Sequence, residues 1–318
     1  MKKYFLLFVI LPSVLVLVGL TGCGGSNLSR SEYTIATGSR SGVYYPIGEA
    51  LSMILKKIFP DVTLSLVETV GSVENLQLLR DGKVDLALVQ NDIAFYAAEG
   101  EAMFNGQKIS NISGIATLFP EVVQIIVRKE TGITSLADLA GRKIAVGSKN
   151  SGTYYNAQQL LTVANVWEQI DHQYQDAGEA MQEMQEGRVD GFIFTSGLPN
   201  PSIVELARKV EITLVPVEAD LVQKLVTSYS FYFPSTIEAN QYPGQTTAIS
   251  AVEINAILLS SSTLSENDQY LLTKHLFGSP NDLGQSHPRL SKMTKNSLRR
   301  QMPVKLGKGA YKAYSEAP

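Results

Sequence analysis

The chain has 318 residues, 44% of them hydrophobic and 18% charged, with a formal net charge of −3. That is chain enough for one large domain or two modest ones, with ample apolar side chains for a folded body. A mildly acidic balance without a long basic block excludes a phosphate-backbone binder, so no nucleic-acid partner is expected.

Lys2 and Lys3 precede an apolar run from Tyr4 to Leu20, and Leu20-Thr21-Gly22-Cys23 follows. A positive start, an apolar middle and a small-residue exit mark residues 1–22 as a secretory signal. Cys23 stands directly after it, an arrangement that resembles the bacterial lipoprotein signal. Lipidation of Cys23 would anchor the body to the bilayer outside the cytoplasm, on a short tether of residues 23–30. Cys23 is the single cysteine of the sequence, which excludes a disulfide within it.

The body opens with a short β run at Thr34–Thr37. It ends in a Gly-Ser turn, Thr37-Gly38-Ser39-Arg40-Ser41-Gly42-Val43-Tyr44-Tyr45. Helical spacing of apolar residues covers Tyr45–Lys57, and Asp61–Glu68 reads as the next strand. A helix is expected over Val73–Asp81, with Ser72 as its N-cap and Gly82 ending it. Val84–Val89 then reads as a strand buried on both faces, of the parallel type. This phrase recurs. Lys143–Val146 leads into Gly147-Ser148-Lys149-Asn150-Ser151-Gly152-Thr153-Tyr154-Tyr155, with a helix expected over Tyr155–Asn165. Further on, Gly187-Arg188-Val189-Asp190 matches Gly82-Lys83-Val84-Asp85, between a helix at Ala177–Glu186 and a strand at Val189–Phe194. Two matched segments in the same order imply a duplicated α/β unit, two parallel-type sheets, one per lobe. Glu121–Arg128 and Thr246–Leu259 read as strands crossing between the lobes, and Glu266–Phe277 as a helix returning to the first. The expected division is lobe 1 at 31–120 and 246–318, and lobe 2 at 121–245.

In open α/β sheets a ligand sits beyond the C-terminal ends of strands, where both Gly-Ser turns fall. Orphan N–H groups of a first helical turn, joined by hydroxyls, suit a carboxylate. Ser39, Tyr44 and Tyr45 are candidates on one side, and Ser151, Gly152 and Thr153 on the other. One tyrosine is expected to face the ligand and the other to pack down. Gln90 or Asn91, at the end of Val84–Val89, can present an amide, while Asp92 is expected to cap the next helix. The matching strand end, Phe194 to Pro201, offers a hydroxyl or backbone amide, and Gly71-Ser72 is a weaker candidate. The second turn has Walker A glycine spacing but carries Thr153 where lysine is required, so nucleotide hydrolysis is not expected. Gly38-Ser39-Arg40-Ser41-Gly42 has arginine where a nucleophile elbow needs serine. His172, His275 and His287 stand far apart, with His172 read as exposed. No metal, cofactor or enzymatic activity is expected.

Thr37-Gly38-Ser39…Gly42-Val43-Tyr44-Tyr45-Pro46, Gly71-Ser72…Glu74-Asn75-Leu76, Gly82-Lys83-Val84-Asp85-Leu86-Ala87-Leu88-Val89-Gln90 and Gly147-Ser148…Ser151-Gly152-Thr153 together resemble the TAXI-type solute receptors of TRAP transporters. The likeness continues through Gly141-Arg142-Lys143-Ile144-Ala145-Val146-Gly147 and Ser196-Gly197-Leu198-Pro199 to Gln269–Phe277, covering nearly all of the mature chain. It implies a two-lobed α/β fold of the type II periplasmic binding protein kind, with a cleft between lobes joined by hinge strands. It also implies capture of a small anionic or zwitterionic solute, such as glutamate, glutamine or a 2-oxoacid, and delivery to an ion-driven TRAP permease. Its ligand positions fall on Ser39, Gly42, Tyr44, Gln90, Asn91, Ser151, Gly152 and Thr153, and more loosely on Gly197. Arg40 and Asn91 depart from the usual motifs; Arg40 is either a second clamp on an acidic ligand or solvent-facing. The rival readings are the binding protein of an ATP-driven (ABC) importer, a surface lipoprotein acting as sensor, and an extracellular enzyme.

Overall fold

The structure is a computed structural model and describes residues 27–278, 283–285, 287–293, 297 and 301–316. The signal 1–22 and Cys23 lie outside the described residues. The strands are β1 (Glu32–Ala36), β2 (Thr63–Val67), β3 (Leu86–Gln90), β4 (Ile112–Arg128), β5 (Lys143–Ala145), β6 (Asp171–Gln173), β7 (Gly191–Ser196), β8 (Ile212–Leu214), β9 (Phe233–Ile237) and β10 (Ile249–Ser261). The helices are α1 (Tyr44–Ile58), α2 (Ser72–Arg80), α3 (Asn91–Glu99), α4 (Gly152–Val163), α5 (Ala177–Gln185), α6 (Pro201–Ala207), α7 (Ala219–Ser228) and α8 (Glu266–Phe277), with a further C-terminal helix at Lys308–Glu316.

Each copy of the repeat folds as β-α-β-α-β. In the first, β1 lies parallel between β2 and β3; in the second, β5 lies parallel between β6 and β7. The repeated Gly-Lys/Arg-Val-Asp explains the likeness in local terms. Gly82 and Gly187 close the preceding helix region at φ 65° and 73°, a left-handed backbone that glycine adopts without steric cost. Val84 and Val189 are buried. Asp85 then accepts from the Thr34 amide at 2.8 Å, and Asp190 from the Lys143 amide at 3.0 Å. In both copies the aspartate therefore pins the first residues of the leading strand.

The two sheets are not separate, and they are not purely parallel. β10 runs antiparallel to β3, β4 runs antiparallel to β7, and β4 and β10 pair with each other. The result is one continuous mixed sheet in the order β2-β1-β3-β10-β4-β7-β5-β6, with β8 against β4 and β9 against β10. The physical cause is length. β4 has 17 residues, roughly 55 Å of strand at about 3.3 Å per residue, so it serves both copies. The curled sheet, flanked by helices, is an α/β fold of the type II periplasmic-binding-protein-like architecture.

Both faces of each copy are covered. Around the first, Tyr33, Ile35, Leu51 and Leu88 pack with Leu272 and Leu276 of α8 on one face, and Leu76, Leu79, Val89 and Ile93 on the other. Around the second, Ile144, Leu160, Ile193 and Leu225 form one core and Met181, Met184, Phe192 and Ile203 the other. Strands buried on both faces lose their alternation, which is why all five residues of β3 are buried.

Several local expectations are corrected. α4 starts at Gly152, three residues before the expected start, because Ser151 caps it, accepting from the Tyr154 amide at 3.1 Å. Ser72 is the first residue of α2, not its cap; its hydroxyl accepts from the Gln90 amide at 3.0 Å. His172 lies in β6, half-buried against the Trp167 ring at 4.2 Å, rather than exposed. Ser29 and Arg30, read as tether, are held on the body: the Ser29 amide donates to Asp268 at 2.8 Å and Arg30 pairs with Asp85 at 2.5 Å. Among the described residues no helix is long and apolar enough to cross a membrane.

Candidate functional site

The two Gly-Ser turns face each other. Gly38, Ser39, Gly42 and Tyr44 of the first, and Ser151, Gly152 and Thr153 of the second, line one cavity of about 60 Å³ between the copies. Val43, Val70, Gly71, Ser72, Gln90, Glu121, Phe194, Thr195 and Ser196 complete its wall. The N-termini of α1, α2 and α4 therefore converge on one space, each bringing the positive dipole end of a first helical turn.

The copies touch at this place. α2 has no side-chain cap; Gly71 precedes it at φ 130°, a backbone open to glycine and strained for other residues. The amides of Val73 and Glu74 donate instead to the Asn150 carbonyl of the opposite turn, at 3.2 and 3.4 Å. Behind the cavity, Asn156 of α4 donates to Asp92 of α3 at 2.7 Å and to the Tyr232 hydroxyl at 2.9 Å, all three buried. Burial pushes the Asp92 carboxyl up to about 6. Asp92 thus ties the copies together through one oxygen, while the other accepts from the Ile93 amide at the start of α3 at 2.8 Å, near the capping role expected of it.

Glu121 is the buried acid of the cavity wall, 3% exposed, and accepts from the Tyr44 hydroxyl at 2.6 Å. Burial drives its carboxyl up to about 8, with the Asp92 charge adding to the rise and the Tyr44 hydrogen bond and Arg289 opposing it. Burial, then the neighbouring Glu121 charge, lifts the Tyr44 phenol well above its ordinary range. Two wall atoms are buried and without a hydrogen-bond partner: Gln90 Oε1 and Thr195 Oγ1. Gln90 and Thr195 occupy equivalent positions of the repeated strands, so each copy contributes one such side chain to the cavity wall. No lysine or arginine lines the cavity among the described residues.

Four of the expected positions lie elsewhere. Arg40 is exposed, paired with Glu68 at 3.2 Å and lying 4.1 Å from the centroid of the Tyr45 ring. That contact holds Tyr45 outside the cavity wall, so Tyr44 is the tyrosine that faces inward. Asn91 is buried, its side-chain oxygen accepting from the Asn255 amide at 3.0 Å. Gly197 packs under the Arg289 guanidinium, which donates to the Leu198 carbonyl at 2.8 Å and to the Pro199 carbonyl. Glu121 escaped the sequence reading, although one signal for it existed: a carboxylate inside the otherwise apolar Phe-Pro-Glu-Val-Val of a strand.

Fold and cavity together define a two-fold-repeated α/β protein of the periplasmic-binding-protein-like class. Residues 35–317 match the NMT1-like family, and the chain belongs to that family. Its fold is similar to that of the periplasmic aliphatic sulphonate binding protein SsuA from Escherichia coli, at 18% identity, 91% of this chain, 84% of that chain and a TM-score of 0.51. It is also similar to the alkanesulfonate-binding protein SsuA from Xanthomonas axonopodis pv. citri bound to MOPS, at 16% identity, 91% and 85% coverage and a TM-score of 0.52. A protein of Bordetella bronchiseptica RB50 matches at 15% identity, 92% and 84% coverage and a TM-score of 0.54.

Proposed function

We propose that this protein captures a small carboxylate solute outside the cytoplasmic membrane and hands it to a membrane transporter of the TRAP type. The observation that carries this reading is the convergence of three helix N-termini on one cavity walled by both copies of the repeat. First-turn N–H groups of α1 and α4, together with the positive dipole ends of all three helices, give a carboxylate donors and a favourable field without a cationic side chain. The transporter class rests on the likeness of the turn motifs to TAXI-type receptors, and attachment to the bilayer on the signal 1–22 with Cys23 directly after it.

In this reading the copies are two lobes, 31–120 with 246–318 and 121–245, and β4 and β10 are the strands about which they swing. Solute bridges the two turns and favours the closed form, which the permease then recognises. The protein binds and releases, and no bond is made or broken.

Calorimetric titration of the purified chain with α-amino acids, 2-oxoacids, dicarboxylates and alkanesulfonates tests this. Saturable binding of a carboxylate, without product after prolonged incubation, is expected. Binding of sulfonates alone, or binding of none of these, overturns the carboxylate reading.

A further inference from the structure

We propose that the protein has a second site, in a larger cavity beside the cleft, for an amphiphile with an apolar body and one anionic group, such as a medium-chain monocarboxylate. This site stands apart from whatever the two turns bind. Its cavity measures about 620 Å³, against about 60 Å³ between the turns. Proteins bury small ligands in pockets of about 300–1,000 Å³. Gly42 and Val43 belong to both walls, and β4, β9, β10 and the loop after β7 supply most of the rest. Pro201, Thr236 and Pro288 of the lining are exposed, so the cavity opens to solvent.

The lining selects the chemistry. Val43, Phe119, Val122 and Leu198 supply apolar surface, and five further lining residues are prolines, which carry no backbone N–H. A solute with many polar groups would leave them unpaired there. Against this surface stands one cation, Arg289, half-buried in the 3₁₀ segment Pro288–Lys292. Its neighbour Leu290 is buried in the core of the first copy, and His287 Nδ1 accepts from the Arg289 amide at 3.2 Å, so the segment is anchored. The Leu198 and Pro199 carbonyls take two of the five guanidinium N–H groups. Among the described residues no carboxylate pairs with it. Glu253 shares the wall but accepts from the Ser235 hydroxyl at 2.7 Å. Glu121 acts on Arg289 from the cleft side, yet its carboxyl sits near 8 and holds its proton at neutral pH. Burial holds the guanidinium below its ordinary range, with Tyr242 and Glu121 opposing, and arginine stays charged regardless. Burial, then the Arg289 charge, also lowers the His287 imidazole. A half-buried cation without a counter-charge carries a desolvation cost, which a carboxylate fitting its planar fork removes.

Calorimetric titration of the full chain at pH 7 with decanoate, decanol and decylamine tests this. Decanoate should bind saturably and at least tenfold tighter than decanol, with decylamine weakest. From hexanoate to decanoate the affinity should rise roughly three- to fourfold per CH₂, as burial of the chain requires. R289Q removes the charge and should bring decanoate down to the level of decanol, leaving decanol unchanged. S235W fills the cavity from β9 and should abolish binding of both. Neither residue lines the cleft, and an unchanged near-ultraviolet circular dichroism spectrum checks each fold. The proposal fails if decanoate does not saturate, if the three bind alike, or if chain length has no effect. It fails equally if the preference for decanoate survives R289Q, if R289Q removes decanol as well, or if decanoate still binds S235W.

Discussion

The two copies of the repeat share a fold but finish their helices differently. α5 caps itself: Asp176 accepts from the Gly178 and Glu179 amides at 2.6 and 2.9 Å, and Glu179 reaches back to the Asp176 amide. Its counterpart α2 follows a glycine, has no side-chain cap, and is completed by the Asn150 carbonyl of the opposite copy. The crossing strands differ too, in the opposite sense. Gln90 pairs with Ala256 of β10 and Thr195 with Val123 of β4, so Glu121 holds the place that buried Ile254 holds in the other copy. One copy is locally self-sufficient at its second helix, and the other leaves polar groups to be satisfied from outside. An uncapped helix start and a buried acid are local costs, and such costs concentrate where a protein binds.

The largest expected effect tests the exchange of isoleucine for glutamate at that crossing. The Glu121 carboxyl is raised from 4.5 to about 8 in the folded protein. A raised acid stabilises the fold most below its unfolded value and loses that contribution as pH climbs through the folded value. Wild-type protein without solute should therefore lose stability between about pH 4.5 and 8. E121Q should lose less over that range, the two curves separating by on the order of 3 to 5 kcal/mol at about 1.4 kcal/mol per pKa unit. Urea unfolding across that range checks it, and parallel curves would remove the acid from the account.

Next comes the close approach of the turns. A Cβ on Gly152 would overlap the Gln90 side chain across the cavity, whereas one on the equivalent Gly42 would meet the Ser39 carbonyl at 3.2 Å. Overpacking of this kind costs about 1–3 kcal/mol. Gly152→Ala should thus weaken solute binding roughly 10- to 100-fold, with Gly42→Ala weaker in effect. Equal losses in calorimetry would contradict the asymmetry. A smaller effect lies in α5: Asp176→Ala should lower stability by about 1 kcal/mol with affinity unchanged, since the capping box lies away from the cavity wall. Smallest of all, Arg40→Ala should alter stability by no more than about 0.5 kcal/mol and leave binding intact, because its ion pair is exposed. A marked loss of affinity would return Arg40 to the site.

How much of this the chain itself disclosed follows from the range of the forces involved. The duplicated elements were legible because Gly82, Val84 and Asp85 act locally, as a left-handed turn, a core contact and a strand pin, and so do Gly187, Val189 and Asp190. The opposing turns, with Ser39, Gly42, Tyr44, Ser151, Gly152 and Thr153 in one wall, followed from the rule that places loops at strand ends. Single-sheet continuity did not, because the pairing of β4 with β10 joins residues far apart in the chain. Where Asn91, Arg40 and Tyr45 lie was not legible, because each meets a partner that local spacing does not reveal: Asn255, Glu68 and the Arg40–Tyr45 stack. Glu121 went unread for the same reason, since only the crossing of β4 brings it to Tyr44.

The borrowed cap on α2 makes that helix a built-in reporter. The Val73 and Glu74 amides donate to the Asn150 carbonyl across the turns, and in the proposed hinge motion they would turn to water as the turns part. Deuterium uptake at these two amides, followed against solute concentration, would then trace the swing of the jaws residue by residue, with no label attached to the protein.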